Sequence, residues 1–153
     1  INTNAHSRRL IVSAWAPHEI FDMALPPCHY AFQVYINNGV MDLMWQQRSA
    51  DVFLGLPYDI AMYGLLLEML AKGAELKAGQ LIGQLGDCHL YNNHLDQARE
   101  FRRRHNPKLP QLELDSGIFL SISNDLYIPE SNKIKLINYN PLSAIKAELS
   151  VGK

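Results

Sequence analysis

The sequence predicts an α+β domain in which a mixed β-sheet packs around a central buried helix. Three observations carry this. Short β-branched or alternating runs outnumber the helical ones, residues 58–72 form a helical pattern apolar on nearly every side, and no internal repeat or low-complexity tract interrupts the chain. Taken in order, residues 6–15 set Arg8 and Arg9 ahead of Leu10-Ile11-Val12, an apolar run short enough for a buried strand with the arginines at its mouth. Beyond Pro17, residues 28–36 alternate and are aromatic, Asn37-Asn38-Gly39 supplies turn chemistry with positive φ, and residues 40–47 follow, which predicts a β-hairpin. In residues 58–72, Ile60, Tyr63, Leu67 and Leu70 make one helical face, yet Ala61, Met62, Leu65, Leu66 and Met69 are apolar too. That helix is expected to be buried nearly all round and to stop at Gly73. Residues 80–85 form another strand. Residues 93–105 read as an amphipathic helix whose Arg102-Arg103-Arg104 run suits its C-terminal dipole, with Pro107 and Pro110 ending it. Strands near residues 112–114 and 133–139 complete the set.

A chain of 153 residues that is 48% hydrophobic can bury a sizeable core, and its length fits one compact unit. The formal net charge of -1 gives no global field to recruit nucleic acid or an anionic membrane, so neither is an expected partner. The arginine run reads most simply as a solvated helix end. The longest apolar stretch, residues 64–70 around Glu68, is far short of a membrane span, and two cysteines sixty residues apart suggest free thiols in a reducing compartment. The chain reads as cytoplasmic, with no metal site.

Chemistry is concentrated in few residues. By type alone a lone cysteine is most often a small buried hydrophobe, and that reading stands for Cys88. Cys28 follows two prolines, which fix φ and remove two backbone donors, and it precedes His29, so its thiol is expected at a strand entrance beside a proton carrier. Arg48, Ser49, Arg8 and Arg9 are candidate phosphate ligands, because forked guanidinium donors suit a dianion better than point charges do. Arg8 and Arg9 read equally well as a solvated strand end. His89 and Tyr91 alternate and so share a face, either as a core pair or as ligand donors, whereas Asp87 beside a glycine reads as turn chemistry.

The segments Leu25-Pro26-Pro27-Cys28-His29, Gln47-Arg48-Ser49-Ala50-Asp51 and Gly86-Asp87-Cys88-His89-Leu90-Tyr91 closely resemble the thymidylate synthase family in order and spelling. The resemblance implies a thymidylate-synthase-type sheet, with residues 1–153 as the C-terminal catalytic portion of the domain. Since the chain starts at Ile1 inside what looks like a family motif, the family's N-terminal folate lysine, catalytic glutamate and indole wall are expected to fall outside it. It further implies that Cys28 attacks C6 of a deoxypyrimidine monophosphate, which makes C5 nucleophilic toward a one-carbon unit from 5,10-methylenetetrahydrofolate. An arginine near the sulfur favours the thiolate. By the same resemblance Arg48 and Ser49 hold the phosphate, Arg8 and Arg9 reach the partner's phosphate in a homodimer with composite sites, His89 and Tyr91 bind the sugar 3′-hydroxyl, and Asp51 and Gly55 lie on the pterin side.

Asp59 stands where the synthases place a base-reading asparagine. An ionised carboxylate offers only acceptors, which suit the N4 donors and protonated N3 of cytosine and oppose O4 of uracil. The phage deoxycytidylate hydroxymethylases look similar here, and this makes a nucleotide hydroxymethylase acting on dCMP the leading expectation, with dUMP and thymidylate synthesis as the alternative. Two other readings of Asp59 remain open: a neutral carboxyl could pair with uracil, and an aspartate could simply cap the helix. Met62 also replaces a serine that supports the asparagine in many synthases. The family's apolar C-terminal tail is matched through Asn138-Tyr139-Asn140-Pro141 and Ala144-Ile145-Lys146-Ala147, then gives way to Glu148-Leu149-Ser150-Val151-Gly152-Lys153. A different lid is expected, and a lid that admits water would favour a hydroxymethyl over a methyl product. A non-catalytic nucleotide-binding or RNA-binding relative is the rival from another class.

Overall fold

A computed structural model describes residues 4–105, 108–115 and 131–150. Pro107 and the last three residues of the divergent tail lie outside them. The chain divides into two compact units, residues 1–95 with 149–153 and residues 96–148, where its length suggests one.

The first unit is a four-stranded mixed sheet in the order β1-β2-β3-β4, formed by Ile11–Ser13, His29–Asn37, Val40–Asp51 and Lys77–His89. β1, β2 and β3 run antiparallel, while β4 lies parallel to β3 and is reached through the helix α1, Leu56–Gly73. A parallel neighbour requires such a crossover. The β2–β3 hairpin closes on Asn38 at φ 48° and Gly39 at φ 76°, with Asn37 paired to Val40. Two successive residues with positive φ match the right-handed twist of the strands, as the sequence predicts. The second unit holds α2, Leu95–Arg103, which begins at the boundary, and a two-stranded antiparallel sheet of β5, Gln111–Leu114, and β6, Ile134–Ile137.

The core follows from two periodicities. On β3, every second residue from Met41 through Leu43 and Trp45 to Gln47 is buried; on α1, Tyr63, Leu67 and Ala71 repeat at four-residue spacing and meet them together with Val34 and Ile36. The Trp45 ring stacks on Tyr63 with centroids 5.1 Å apart and planes 12° off parallel. It also lies across Gly83 of β4, where a Cβ would stand 2.5 Å from the indole, so only glycine fits.

Four sequence expectations are corrected. Ile11 and Val12 are exposed, and among the described residues β1 pairs with β2 alone. α1 is buried along a single stripe, and Ile60 and Met62 on its remaining surface are about half exposed, since the sheet covers only one side of the helix. The helix ends at Gly73 as expected, but the left-handed position lies two residues further on. Glu75 takes the left-handed turn at φ 56°, its N–H bonds to Lys72 O, and Leu76 N–H bonds to Ala71 O, the Schellman pattern normally built on glycine. Asp87 lies within β4, paired with Ser49, and Cys88 is exposed on that edge strand; both had read differently from type alone.

Candidate functional site

The predicted nucleophile sits where an irregularity in the ladder puts it. Regular antiparallel alternation counted back from Phe32↔Trp45 would oppose Tyr30 to Gln47 and His29 to Arg48. The register instead shifts between His29 and Ala31, so that His29 faces Gln47 and Arg48 N–H bonds to Cys28 O at 2.8 Å. This β-bulge re-aims two side chains at once. It turns His29 toward the face carrying Trp45, Gln47 and α1, and it leaves the half-buried Cys28 beside Arg48.

Arg48 closes over the segment before the cysteine. Its Nε donates to Pro27 O at 3.1 Å and its Nη2 to Pro26 O at 2.7 Å. The two prolines thus contribute stiff carbonyl acceptors, and the guanidinium retains further donors for an anion. Ser49 follows on β3 opposite Asp87. Ser49, His89 and Tyr91 line one open pocket of about 430 Å³ together with Asp87, Leu90 and Asn92. The His89 ring meets Tyr91 edge-on at 4.9 Å and lies 3.4 Å from an Asp87 carboxylate oxygen, so the pair expected to share a face does so.

Asp59 lies in the first turn of α1, one helical turn before Tyr63. Its Oδ2 accepts from Gln47 Nε2 at 2.9 Å and its Oδ1 lies 3.3 Å from His29 Nε2, with the side chain 13% exposed. The N-cap of α1 is Gly55 and no side chain bonds to the free N–H groups there, so Asp59 is not a helix cap. Its negative charge still suits the positive end of the helix. Asp59, together with burial, affects Tyr63: desolvation and then the nearby carboxylate raise the phenol above its ordinary value of 10.0.

Asp51 at the end of β3 accepts from the N–H groups of Phe53 and Leu54 through Oδ1, at 2.9 and 3.2 Å. That fixes the turn into α1 and leaves Oδ2 for a ligand. Gly55 packs so close to this turn that a Cβ would come within 3.1 Å of Asp51 O. Arg8 and Arg9 stand apart from this constellation, exposed on the turn before β1, with β2 between them and β3.

One residue of the site lacked any assignment from sequence. Gln47, 3% exposed, accepts from Trp45 Nε1 at 3.1 Å and donates to Ser49 O and to Asp59. Its signal was available: a glutamine that continues the buried alternation of Met41, Leu43 and Trp45 must find polar partners inside the fold. Met62, the other suspected change near Asp59, is half exposed on α1. Among the described residues no group of three or more His, Cys, Asp or Glu could hold a metal ion, and no helix is long and apolar enough to cross a membrane.

Comparison with known proteins gives one consistent picture. The thymidylate synthase family model matches residues 1–151. A thymidylate synthase of Listeria monocytogenes serotype 4a (strain HCC23) is 47% identical over 151 residues, which are 99% of this chain and 46% of the relative. One of Coxiella burnetii (strain Dugway 5J108-111) is 46% identical over 99% of this chain and 55% of its own length. Among solved structures, the thermostable thymidylate synthase A from Bacillus subtilis superposes with a TM-score of 0.85 at 32% identity, covering 97% of this chain and 51% of that one. The chain spans about half the length of these relatives. On the family model, the close relatives and the shared α+β fold together, this chain belongs to the thymidylate synthase family.

Proposed function

We propose that this chain supplies the nucleophile and the nucleotide-binding groups of a folate-dependent one-carbon transferase acting at C5 of a deoxypyrimidine monophosphate. The observation that carries the proposal is the clasp of Arg48 on the Pro26 and Pro27 carbonyls, which holds Cys28 beside a guanidinium with donors to spare. In this reading the Cys28 thiolate adds to C6 of the pyrimidine, electron density moves to C5, C5 takes up the one-carbon unit and loses its proton, and the thiolate is expelled when the ring double bond re-forms. Arg48 and Ser49 hold the phosphate, and Arg8 and Arg9 serve the neighbouring site of a homodimer, in keeping with their distance from β3. His89 and Tyr91 take the sugar, Asp59 reads the base, and Asp51 with Gly55 faces the folate. Bound 5,10-methylenetetrahydrofolate supplies the carbon and, for a methyl product, the hydride. Asp51 suits it chemically, because the oxygen not used in the turn can accept from an amino-pyrimidine edge. The enzyme works in the cytoplasm, as the catalytic C-terminal portion of a longer domain.

The names of the relatives favour thymidylate synthesis from dUMP, the reading that sequence alone ranks second. The hydroxymethylase reading gains nothing from those names. One observation still favours cytosine as the base: Asp59 Oδ2 already accepts from the Gln47 amide and Oδ1 lies 3.3 Å from His29 Nε2, so an ionised Asp59 turns only lone pairs toward a ligand. Tritium release from C5-labelled dUMP and dCMP, with identification of each product, tests the proposal. Release from neither nucleotide would refute it, and the relative kcat/KM of the two chooses between the bases.

A further inference from the structure

The candidate sugar groups reach the site along β4, and the residue that sets how close they come is Gly86. The β3–β4 register pairs Gln47 with Leu85 and Ser49 with Asp87, then Ala50 with Cys88 and Asp51 with His89, which puts Gly86 opposite Arg48. A Cβ at Gly86 would stand 2.6 Å from Arg48 O, 3.2 Å from its carbonyl carbon and 3.3 Å from its Cα. All three are backbone atoms, so no side chain can swing aside to admit a methyl group. Bringing that methyl from 2.6 Å to an ordinary carbon–oxygen contact of about 3.3 Å parts the strands there by roughly 0.7 Å.

Arg48 is held on its other side. Its backbone N–H bonds to Cys28 O at 2.8 Å, and its guanidinium clasps the carbonyls of Pro26 and Pro27. Arg48 therefore moves with the segment that carries the nucleophile, and any widening at Gly86 falls on β4. Past Gly86 the chain brings Asp87, His89 and Tyr91 to the same open pocket as Ser49. The phosphate candidates Arg48 and Ser49 thus belong to β3, and the sugar candidates belong to the end of β4 and the residues after it. A nucleoside monophosphate joins the two ends through covalent bonds of fixed length.

We propose that Gly86 is a positioning residue for the nucleotide: without a side chain it lets β4 close on the Arg48 backbone, and so fixes the span between the phosphate groups on β3 and the sugar groups beyond β4. The ligands that sense this span are those that engage both ends at once. Inorganic phosphate needs β3 alone and is indifferent to it. This inference rests on the reading of Arg48 and Ser49 as phosphate ligands and of His89 and Tyr91 as sugar ligands.

Calorimetric titration of the full chain with inorganic phosphate, dUMP and dCMP tests it in the wild type, Gly86→Ala and Gly79→Ala. Gly79 lies near the start of β4, where a Cβ would run into Asp42 and Val40, so its variant reports a general loosening of the strand. Gly86→Ala should weaken the better-bound nucleotide about tenfold or more and change phosphate binding by less than about threefold, since sub-ångström errors in placing a ligand's partners are costly. Gly79→Ala should keep the wild-type ratio of the two affinities. An equal loss for phosphate and nucleotide in Gly86→Ala, no loss for the nucleotide, or the same selective loss in Gly79→Ala overturns the proposal. Should Gly86→Ala not fold, the wild type still reads the span: a homologue of the nucleotide with one extra methylene between C5′ and the phosphate should bind about tenfold or more weaker, and equal binding overturns the proposal. A wild type that binds neither nucleotide refutes the proposed function, whereas nucleotide binding that survives unchanged in Gly86→Ala overturns this inference alone.

Discussion

Replacing Gln47 with methionine removes three hydrogen bonds while nearly preserving shape. The indole N–H of Trp45, in a residue 4% exposed, is left without its acceptor in a place water does not reach, at a cost of about 1–3 kcal/mol. Asp59 loses a charge-assisted bond of about 1.5–3 kcal/mol, reduced because its side chain is partly exposed and His29 remains. Burying the methionine side chain returns roughly 1–2 kcal/mol. The net expectation is destabilisation by about 2–4 kcal/mol, a large share of the stability of an ordinary domain. Urea unfolding followed by tryptophan fluorescence measures it, and a cycle with Asp59→Ala isolates the Gln47–Asp59 bond, expected at about 1 kcal/mol or more of coupling. A loss below about 1 kcal/mol, or no coupling, would refute the polar network drawn around residue 59.

Two further outcomes follow from the geometry. Glu75→Gly should stabilise the protein by about 0.5–1 kcal/mol in the same urea assay, since a non-glycine residue holds φ 56° at the C-terminus of α1. Tyr63→Phe should flatten the alkaline limb of stability: the unfolded phenol ionises near its ordinary value of 10.0 and the folded one above it, so the wild type loses stability as pH rises past about 10, and the variant lacks that component. Urea midpoints at pH 9 and 10.5 for both proteins check the sign.

Much of this arrangement is legible in the chain. Asn38-Gly39 announces the hairpin, Tyr63 and Leu67 of the helical face read from the sequence are buried, and the three motifs mark Cys28, Arg48 and His89 before any coordinate is known. What escaped has physical causes. An apolar helix reads as buried whether or not anything in the chain covers it, which is why Ile60 and Met62 were misjudged. A one-residue bulge leaves no mark on a period-two pattern, so the turning of His29 toward Asp59 had to come from the register. Glu75 in a left-handed conformation violates local propensity and was hidden behind the more obvious Gly73. Gln47 was visible as a polar residue in an apolar alternation, but its partner Asp59 was twelve residues away on α1.

The central claim is that Cys28 activates the pyrimidine covalently. C5 tritium release by Cys28→Ser, with nucleotide affinity measured in parallel, tests it most directly. The account predicts turnover lower by about three orders of magnitude or more with binding largely retained, because the Arg48 clasp does not involve the sulfur. Exchange at a near wild-type rate in the serine variant would contradict it.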